Sequence, residues 1–563
     1  MKLQFLNHEI SNIHSAAFLL GAAGLCSRIL GVLRDRLLAG KFGAGQELDI
    51  YYAAFQIPDF MMVAFLLGAG SAAILPIFQE KLSKSKSDAH CLISDLSTFF
   101  FLGSVVFSLI IFFLTPTIVG VMVPGFPEEA QGLTVILSRL MLVSTIFFGL
   151  SGILSSVIQS FGRFWVYALA PILYNLGIIF GILFLVPFWG VKGLAAGGVF
   201  GSVLHFVIQL LTVKVLGFFP RFAWHGITDS VKEVVRLSFP RVLSVSVSQL
   251  TVILLIGLGS TLAAGSIAVF QFAQNLYFLP IGIFGVSYAT TLFPRLSRAY
   301  IQRNAQEFFD ELFLGARSIL FWVMPSTVLF IVLRAHIVRV ALGAGAFSWE
   351  DTRLTAAALA VLALAIFAGS LGTFFMKGFY ALENTWKPFA INIAASVLSI
   401  ILALFFIRIL SGQSPLADFI KNWLRLSDMP DIRVLGLALG FSIGLIVNTL
   451  LLYRALRNLA IRKFSEKRPF PIKSTLKIIL ASILTGGAAY LVRVSFSETL
   501  PLITFLQVLL QGATAGSVGF AVYFGALFIF REEGVFSLGR VLKRRFFGVK
   551  VLPPSWDGEL HGK

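Results

Sequence analysis

Long apolar stretches, separated by short polar segments, recur along the whole 563-residue chain. Each stretch is long enough for a helix that crosses a bilayer, which needs roughly 20 apolar residues. The predicted spans are 14–40, 51–79, 97–123, 131–160, 165–187, 191–216, 230–259, 265–294, 311–334, 354–381, 387–410, 434–458, 474–495 and 503–530. The pattern therefore predicts an all-α polytopic membrane protein with about fourteen transmembrane helices and little chain left for a soluble domain.

The first apolar stretch is expected to be a membrane helix of the protein rather than a cleaved signal. It contains Arg28 and Arg34, and it continues for longer than the apolar region of a secretion signal. The composition agrees with a membrane protein. Hydrophobic residues make up 57% of the chain and charged residues only 13%, whereas a soluble domain has about 25% charged residues.

The distribution of charge predicts how the chain is oriented in the membrane. The net charge is +18, and the basic residues gather after the predicted second, sixth, eighth, twelfth and fourteenth spans. The opposite loops are poor in Lys and Arg or balanced by acids, as in residues 124–129. By the positive-inside rule, both termini are cytoplasmic. The basic loops are expected to contact anionic membrane lipids rather than nucleic acid.

Motifs for catalysis and metal binding do not occur in the sequence. Cys26 and Cys91 lie in or beside different predicted helices and offer neither a disulfide framework nor a Cys-x-x-Cys site. The seven histidines form no His-Glu-x-x-His pair, and the chain has no Gly-x-x-x-x-Gly-Lys-Ser/Thr phosphate loop. We therefore predict a transporter rather than an enzyme, with no metal site and no cofactor.

An internal repeat is indicated by proline and tryptophan residues at matching positions. Pro58 and Pro280 lie 222 residues apart, each in an apolar segment with a second proline further on. Trp165 and Trp386, which each open a span after a polar break, lie 221 residues apart. Two independent pairs with almost the same spacing predict that the first twelve helices form two halves of six.

Because each half has an even number of helices, both halves share one orientation and are related by an axis along the membrane normal. We predict a six-helix bundle at 1–216, a second at 217–460, and a C-terminal helix pair with a basic tail at 461–563. Membrane-embedded prolines remove a helix hydrogen bond and kink the helix. Pro58 and Pro280 are therefore either hinges or purely structural kinks.

Charged residues in and just after the first predicted span are the main candidates for a functional site. They are expensive in a membrane and normally face a protein interior or a watery cavity. Arg28 and Arg34 could bind phosphate oxygens, because a guanidinium binds them in bidentate fashion. On a straight helix these two arginines point about 120° apart. Either Gly31 allows a bend, or one arginine pairs with Asp35 or Asp49 and only the other meets substrate. Both arginines could also serve only to join helices through these acids.

These residues also carry a resemblance to a known family, the MurJ or MviN lipid II flippases of the MATE-like flippase and exporter superfamily. The segment 27–35 has the sequence Ser-Arg-Ile-Leu-Gly-Val-Leu-Arg-Asp, and it is a fairly specific match. The likeness continues in 42–45, Asp49, 55–58, 124–126, 345–347, 351–352, 378–385 and Pro388.

The resemblance implies a flippase in the bacterial cytoplasmic membrane. Such a protein moves undecaprenyl-pyrophosphate-linked peptidoglycan precursor, lipid II, from the inner to the outer leaflet by alternating access, and can work as a monomer. Two segments depart from the family, which carries arginines at 62–63 (here Met-Val) and an arginine at the position of Asn275. Asn275 and Gln271 could still donate hydrogen bonds to substrate, and Arg241 or Lys377 could supply positive charge.

Other functions stay open from the sequence alone. A flippase for a different polyprenyl-linked glycan fits the same pattern, and so does a cation-coupled exporter of the same superfamily. The acidic residues available to such an exporter are Asp35, Asp49, Asp59 and Glu383. A scaffold or a membrane-embedded transferase would not need the repeat. The only weak candidates for transferase carboxylates are Asp418, Asp428 and Asp431.

For a transporter, the driving energy would be the membrane potential or a coupled ion.

Overall fold

The computed structural model describes residues 13–68, 71–222, 226–412, 414–466, 468–469, 471–499 and 504–536. Within these ranges the chain is helical and contains no strand. The helices are α1 (Ile13–Phe42), α2 (Gln46–Gly68), α3 (Ser71–Lys84), α4 (Lys86–Met122), α5 (Glu128–Ser160), α6 (Phe164–Phe180), α7 (Val186–Trp189), α8 (Val191–Val215), α9 (Asp229–Ser260), α10 (Ser266–Pro280), α11 (Val286–Ile301), α12 (Ala305–Val332), α13 (Arg334–Leu342), α14 (Trp349–Ala363), α15 (Ile366–Ala381), α16 (Trp386–Leu410), α17 (Pro415–Leu424), α18 (Val434–Phe464), α19 (Ile472–Thr499) and α20 (Phe505–Ile529).

Every predicted apolar span coincides with one of these helices or with a consecutive group of them. Some predicted spans are divided between two helices. The span 51–79 falls on α2 and α3, and 354–381 falls on α14 and α15, which meet at a bend of 45°. The spans 165–187 and 265–294 fall on α6 with α7 and on α10 with α11, each pair joined by a π-helical turn. In the described part of the chain, ten helices are long and apolar enough to cross a membrane, and the bent pair would be an eleventh. The predicted all-α polytopic fold is confirmed, while the count of fourteen spans stays a prediction.

Several helices begin where the sequence offers a polar side chain to their first free N–H groups. The Ser85 hydroxyl accepts hydrogen bonds at the start of α4, and the Asn304 side chain does so at the start of α12. Thr504 and Gln507 form a reciprocal capping box at the start of α20. These caps explain why the helices begin at polar breaks between apolar stretches.

The helices form two compact units. The first comprises the chain through Leu279 together with Val338–Leu362 and Glu383–Leu452. Within it, α2 packs against α5 and α9, α8 packs against α5 and α6, and α9 packs against α16. The second unit comprises Pro280–Ile337, Ala363–Leu382 and the chain from Tyr453 onward. The predicted bundles at 1–216 and 217–460, the separate segment 461–563 and the internal repeat stay predictions.

Glycines allow α6 and α8 to approach each other closely in the first unit. A Cβ atom on Gly177 would lie 2.2 Å from the Cα of Gly201, and one on Gly181 would lie 2.5 Å from the Cα of Gly197. Real Cβ atoms do not come so close to backbone atoms. The small-residue spacing in the sequence therefore specifies this helix contact, as membrane helices commonly use it.

The second unit is held by packing of α12 against α11, α15 and α19, and by the long contact between α19 and α20. Several polar side chains are paired inside it. The Tyr523 hydroxyl donates to the carbonyl oxygen of Phe321 at 2.5 Å. The Arg317 guanidinium lies 2.8 Å from carboxylate oxygens of both Glu532 and Glu533. These contacts hold α20 and the residues directly after it against α12.

The two prolines predicted as hinges occupy different settings. Pro58 is buried inside α2, which continues without a break to Gly68. Pro280 ends α10 and is followed by a π-helical turn at Ile281–Gly285. Proline and π-helical turns are both common causes of helix kinks. A hinge role for either residue stays a prediction.

Candidate binding cavity

A polar cavity of about 340 Å³ lies within the first unit, between α1, α2, α6, α9 and α10. We call it the polar cavity. Its lining residues are Arg34, Leu38, Tyr51, Tyr52, Phe55, Gln56, Asp59, Ile178, Val245, Ser248, Gln249, Val252, Gln271, Gln274, Asn275 and Phe278. Its size is at the lower end of ligand pockets, which range over about 300–1,000 Å³.

Arg34 reaches this cavity as one member of a hydrogen-bonded group. Its Nε and Nη2 atoms donate to Oδ1 of Asp35 at 3.0 and 2.8 Å, and Nη1 donates to Oδ1 of Asn175 at 3.3 Å. The Asn275 amide donates to the other oxygen, Oδ2, of Asp35 at 2.9 Å. Asp35 is only 6% exposed. The structure thus brings three of the predicted site residues, Arg34, Asp35 and Asn275, into one cluster that joins α1, α6 and α10.

Arg28 is placed apart from this group. It is half-buried on α1, and it is not among the described residues that line the polar cavity. Its neighbours Leu25 and Ile29 are largely exposed. Arg34 is thus paired with Asp35 and also lines the cavity. The second alternative from the sequence expects the paired arginine to be away from the substrate and the other arginine to meet it.

Asp49 is buried, but it does not contact either arginine among the described residues. Its Oδ2 accepts a hydrogen bond from the backbone N–H of Gly265 at 2.6 Å, and Oδ1 accepts from the N–H of Ala268 at 2.7 Å. It is 2% exposed. The carboxylate caps the N-terminus of α10, where a negative charge is favoured by the free N–H groups and the helix dipole. Pairing of an arginine with Asp49 is one of the alternatives left open by the sequence; among the described residues Asp49 instead caps a helix.

Another part of the cavity wall carries a hydrogen-bonded group of which the sequence analysis named only Asp59, as an acid available to an exporter. Gln249 on α9 donates from Nε2 to Oδ2 of Asp59 at 2.9 Å and to Oε1 of Gln56 at 3.2 Å, both on α2. A helical spacing could have indicated it. Tyr52, Gln56 and Asp59 are separated by four and three residues, which places them on one face of α2.

Several polar atoms of the cavity have no hydrogen-bond partner among the described residues. They are the Tyr52 hydroxyl, Oε1 of Gln271 and Nε2 of Gln274. Tyr52 is 8% and Gln274 is 6% exposed. Buried polar atoms normally find a partner, because leaving one unsatisfied costs about 1–3 kcal/mol. A polar ligand in the cavity would supply those partners.

The two cations suggested as substitutes for the missing family arginines are not part of this cavity as described. Lys377 belongs to the second unit, where its ammonium nitrogen lies 5.3 Å from the centre of the Phe293 ring. The side chain of Arg241 lies outside the described residues. Asn275 and Gln271 do line the cavity, as their predicted hydrogen-bonding role requires.

Known proteins resemble this chain along most of its length. The family model described as lipid II flippase MurJ matches residues 38–511. A probable lipid II flippase MurJ of Rhizobium tropici is 29% identical over 425 residues, which cover 72% of this chain and 78% of the relative. The lipid II flippase MurJ of Burkholderia cenocepacia is 26% identical over 527 residues, which cover 92% of this chain and 97% of the relative.

Solved structures give the same picture for the fold. A lipid II flippase MurJ in an inward closed conformation aligns with a TM-score of 0.72 at 27% identity, covering 92% of this chain and 100% of that structure. An inward-facing MATE multidrug transporter aligns with a TM-score of 0.63 at 16% identity, and the alignment covers 78% of this chain and 96% of that structure. At that identity the second likeness concerns the fold alone.

Proposed function

The chain belongs to the lipid II flippase MurJ family, and on that premise we propose that it moves lipid II from the inner to the outer leaflet by alternating access. The observation that carries the proposal is a polar cavity lined by Arg34 within a multi-pass helical protein. A pyrophosphate cannot cross hydrocarbon bare, because charge is expensive there. A cavity with a guanidinium and several amides offers it a polar environment on the way.

The roles of the residues follow from their positions in the cavity. Arg34 would contact the pyrophosphate, since a guanidinium forms strong charge-assisted hydrogen bonds with phosphate oxygens. Asp35 holds that guanidinium through two hydrogen bonds, and Asn275 holds Asp35 from α10. A phosphate held by Arg34 would change the electrostatic environment of Asp35, through which Asn275 joins α10 to α1. This change is our candidate for coupling substrate binding to a change of conformation.

The test is complementation of bacteria depleted of their own lipid II flippase. The intact protein is expected to restore growth, and Arg34→Ala is expected to lose this ability when inserted at an equal level. Arg433→Ala, which removes an arginine paired with Asp431 outside the polar cavity, serves as the matched control and should still rescue. Failure of the well-inserted intact protein would reject the proposed substrate.

Asp59 favours one alternative, a cation-coupled exporter of the same superfamily, because it places a carboxylate in the cavity. A flippase for another polyprenyl-linked glycan is the third candidate. Efflux of cationic dyes from cells that express the protein, without rescue of flippase depletion, would favour the exporter. Rescue without efflux would favour lipid II flipping.

We propose that the membrane potential, rather than ATP, biases the cycle. A potential that is negative inside favours outward movement of anions by about 2.3 kcal/mol per charge per 100 mV. Collapse of the potential with an ionophore should therefore slow the appearance of lipid II in the outer leaflet. Flipping that continues at an unchanged rate would contradict this mechanism and leave a coupled ion as the alternative.

We further propose that the protein lies in the bacterial cytoplasmic membrane, that both termini are cytoplasmic, and that the monomer is the working unit.

A further inference from the structure

The charge of the polar cavity conflicts with the charge of its proposed substrate. Among the described residues of the cavity and its hydrogen-bonded groups, Arg34 supplies one positive charge, while Asp35 and Asp59 supply two negative charges. The formal charge of this set is therefore −1. A pyrophosphate is itself an anion, and like charges repel strongly where water is scarce. The protein alone gives this substrate too little positive charge.

The one guanidinium is also already engaged. Its Nε and Nη2 atoms are bonded to Asp35, and Nη1 is bonded to Asn175. A pyrophosphate that displaced Asp35 from Arg34 would leave that carboxylate buried without its cation, which is unfavourable. A second source of positive charge is needed in the same cavity.

Oxygen atoms suited to a hard cation line the same cavity. Asp59 accepts its hydrogen bond from Gln249 through Oδ2, and among the described residues none donates to its Oδ1. Oε1 of Gln271 is buried and also without a described donor. Carboxylate and amide oxygens are the ligands preferred by Mg²⁺ and Ca²⁺. The neighbouring Gln56 contributes a further amide oxygen to this cavity.

The protein does not provide a complete metal cage. No group of three or more His, Cys, Asp or Glu side chains that could hold a metal occurs in the described part of the chain. This is the usual situation for Mg²⁺, which is commonly bound by one or two carboxylates together with substrate phosphates. The missing ligands would therefore come from the substrate.

We propose that Asp59 binds a divalent cation, with Mg²⁺ as the best match, which is shared with the pyrophosphate of the substrate. The inference rests on the proposed lipid II function and names the cofactor ion of that site. The cation changes the charge of the described set from −1 to +1. The Tyr52 hydroxyl and Nε2 of Gln274 then donate to phosphate oxygens. Arg34 can keep its bond to Asp35, and the cation enters and leaves with the substrate.

The test measures the affinity of the purified full chain, in lipid nanodiscs, for lipid II in buffer with Mg²⁺ and in buffer with EDTA. The native protein is expected to bind at least about tenfold more tightly with Mg²⁺, which corresponds to about 1.4 kcal/mol. Equilibrium dialysis with Mn²⁺ in place of Mg²⁺ should show bound metal when lipid II is present and none when it is absent.

Variants separate a metal ligand from a residue that only packs. Asp59→Asn should lose the difference between Mg²⁺ and EDTA, whereas Asp59→Glu should keep it. Asp428→Asn, the same change in a loop outside the cavity, should behave as the native protein. If Asp59 were only a structural or repulsive group, Asp59→Asn would bind better in EDTA and keep the full effect of Mg²⁺, and that result would overturn the inference.

The outcomes also separate this inference from the proposed function. Equal lipid II affinity of the native protein in Mg²⁺ and EDTA would overturn the metal site and leave the flippase function standing. No lipid II binding in either buffer, by a protein that is folded and inserted, would remove both.

Discussion

Arg34 and Asp35 show how far a single pair of residues determines the cavity. The two residues are neighbours in sequence, but their hydrogen-bond partners are distant. Asn175 lies 141 residues from Arg34, to which it is bonded, and Asn275 lies 240 residues from Asp35. These bonds orient the guanidinium and join three helices. The pair is therefore both structural and, in our proposal, part of the binding site.

Substitution within this pair should separate stability from transport. Arg34→Ala leaves the Asp35 carboxylate buried without its cation, and breaking such a pair costs about 3–5 kcal/mol. The double variant Arg34→Ala with Asp35→Asn should recover most of that loss, because a neutral amide at 35 can still accept from Asn275. Thermal unfolding of the detergent-solubilised proteins measures this effect. An Arg34→Ala protein that melts like the native one would contradict the structural role of the pair.

Arg28 provides a second prediction at the same scale. It does not line the polar cavity among the described residues, so we expect Arg28→Ala to retain more flippase complementation than Arg34→Ala. Matched expression in the membrane must be verified for both variants. Equal loss in both would indicate that Arg28 joins the site in another conformation of the transport cycle.

At the scale of helices, α2 positions the site at two points. Near its start Asp49 caps α10, and further along Gln56 and Asp59 bond to Gln249 of α9. One helix thus aligns two others around the cavity. The sequence indicated that Asp49 was unusual, because it is an acid next to a membrane span, but its partners are backbone N–H groups that no side-chain pattern reveals.

The cap at Asp49 can be distinguished from a transport charge by its tolerance of asparagine. Asparagine keeps one of the two acceptor oxygens that Asp49 uses, whereas alanine removes both, and loss of a helix cap costs about 0.5–2 kcal/mol. We expect Asp49→Ala to lower the melting temperature and Asp49→Asn to lower it less while preserving complementation. Full stability combined with complete loss of transport in Asp49→Asn would instead show that its charge is functional.

The contact between α6 and α8 offers a matched pair of glycines on one helix. A Cβ on Gly201 would lie 2.5 Å from the carbonyl oxygen of Tyr174, while a Cβ on Gly198 would meet nothing within 4 Å. Gly201→Ala should therefore destabilise the protein by about 1–3 kcal/mol through overpacking. Gly198→Ala should be neutral or slightly stabilising, since alanine favours the helix. Similar melting temperatures for the two variants would contradict the close approach.

At the scale of the whole molecule, the prediction concerns orientation in the membrane. Cys26 and Cys91 are both exposed and would be replaced before single cysteines are introduced at Lys84 and Glu129. Both of these positions are exposed, one before α4 and one near the start of α5. The positive-inside rule predicts that an impermeant thiol reagent labels position 129 in intact cells and position 84 only after permeabilisation. The reverse pattern would invert the predicted topology.

Family membership could be predicted from the sequence, because the segment 27–35 combines charged residues and a glycine within a predicted membrane span. The match to the MurJ family model over residues 38–511 confirms that reading. The residues of the site were identified only in part. The side chains of Arg34, Asp35 and Asn275, which the sequence analysis named, lie together at one cavity. Gln249 carried no signal of its own, and Tyr52 and Gln56 were indicated only by their helical spacing with Asp59.

The sequence by itself determined the helices, their approximate limits and the membrane class, because these depend on runs of apolar residues along the chain and on local caps. It could not determine which of its buried charges meet. Asp35 and Asn275 are 240 residues apart, and their contact depends on how whole helices pack. Only the tertiary structure assigned Asp49 to a helix end, Arg28 to a position away from the cavity, and Asp59 to its wall. The physical reason is that helix formation is a local property, while the pairing of polar groups inside a membrane protein depends on packing between distant segments.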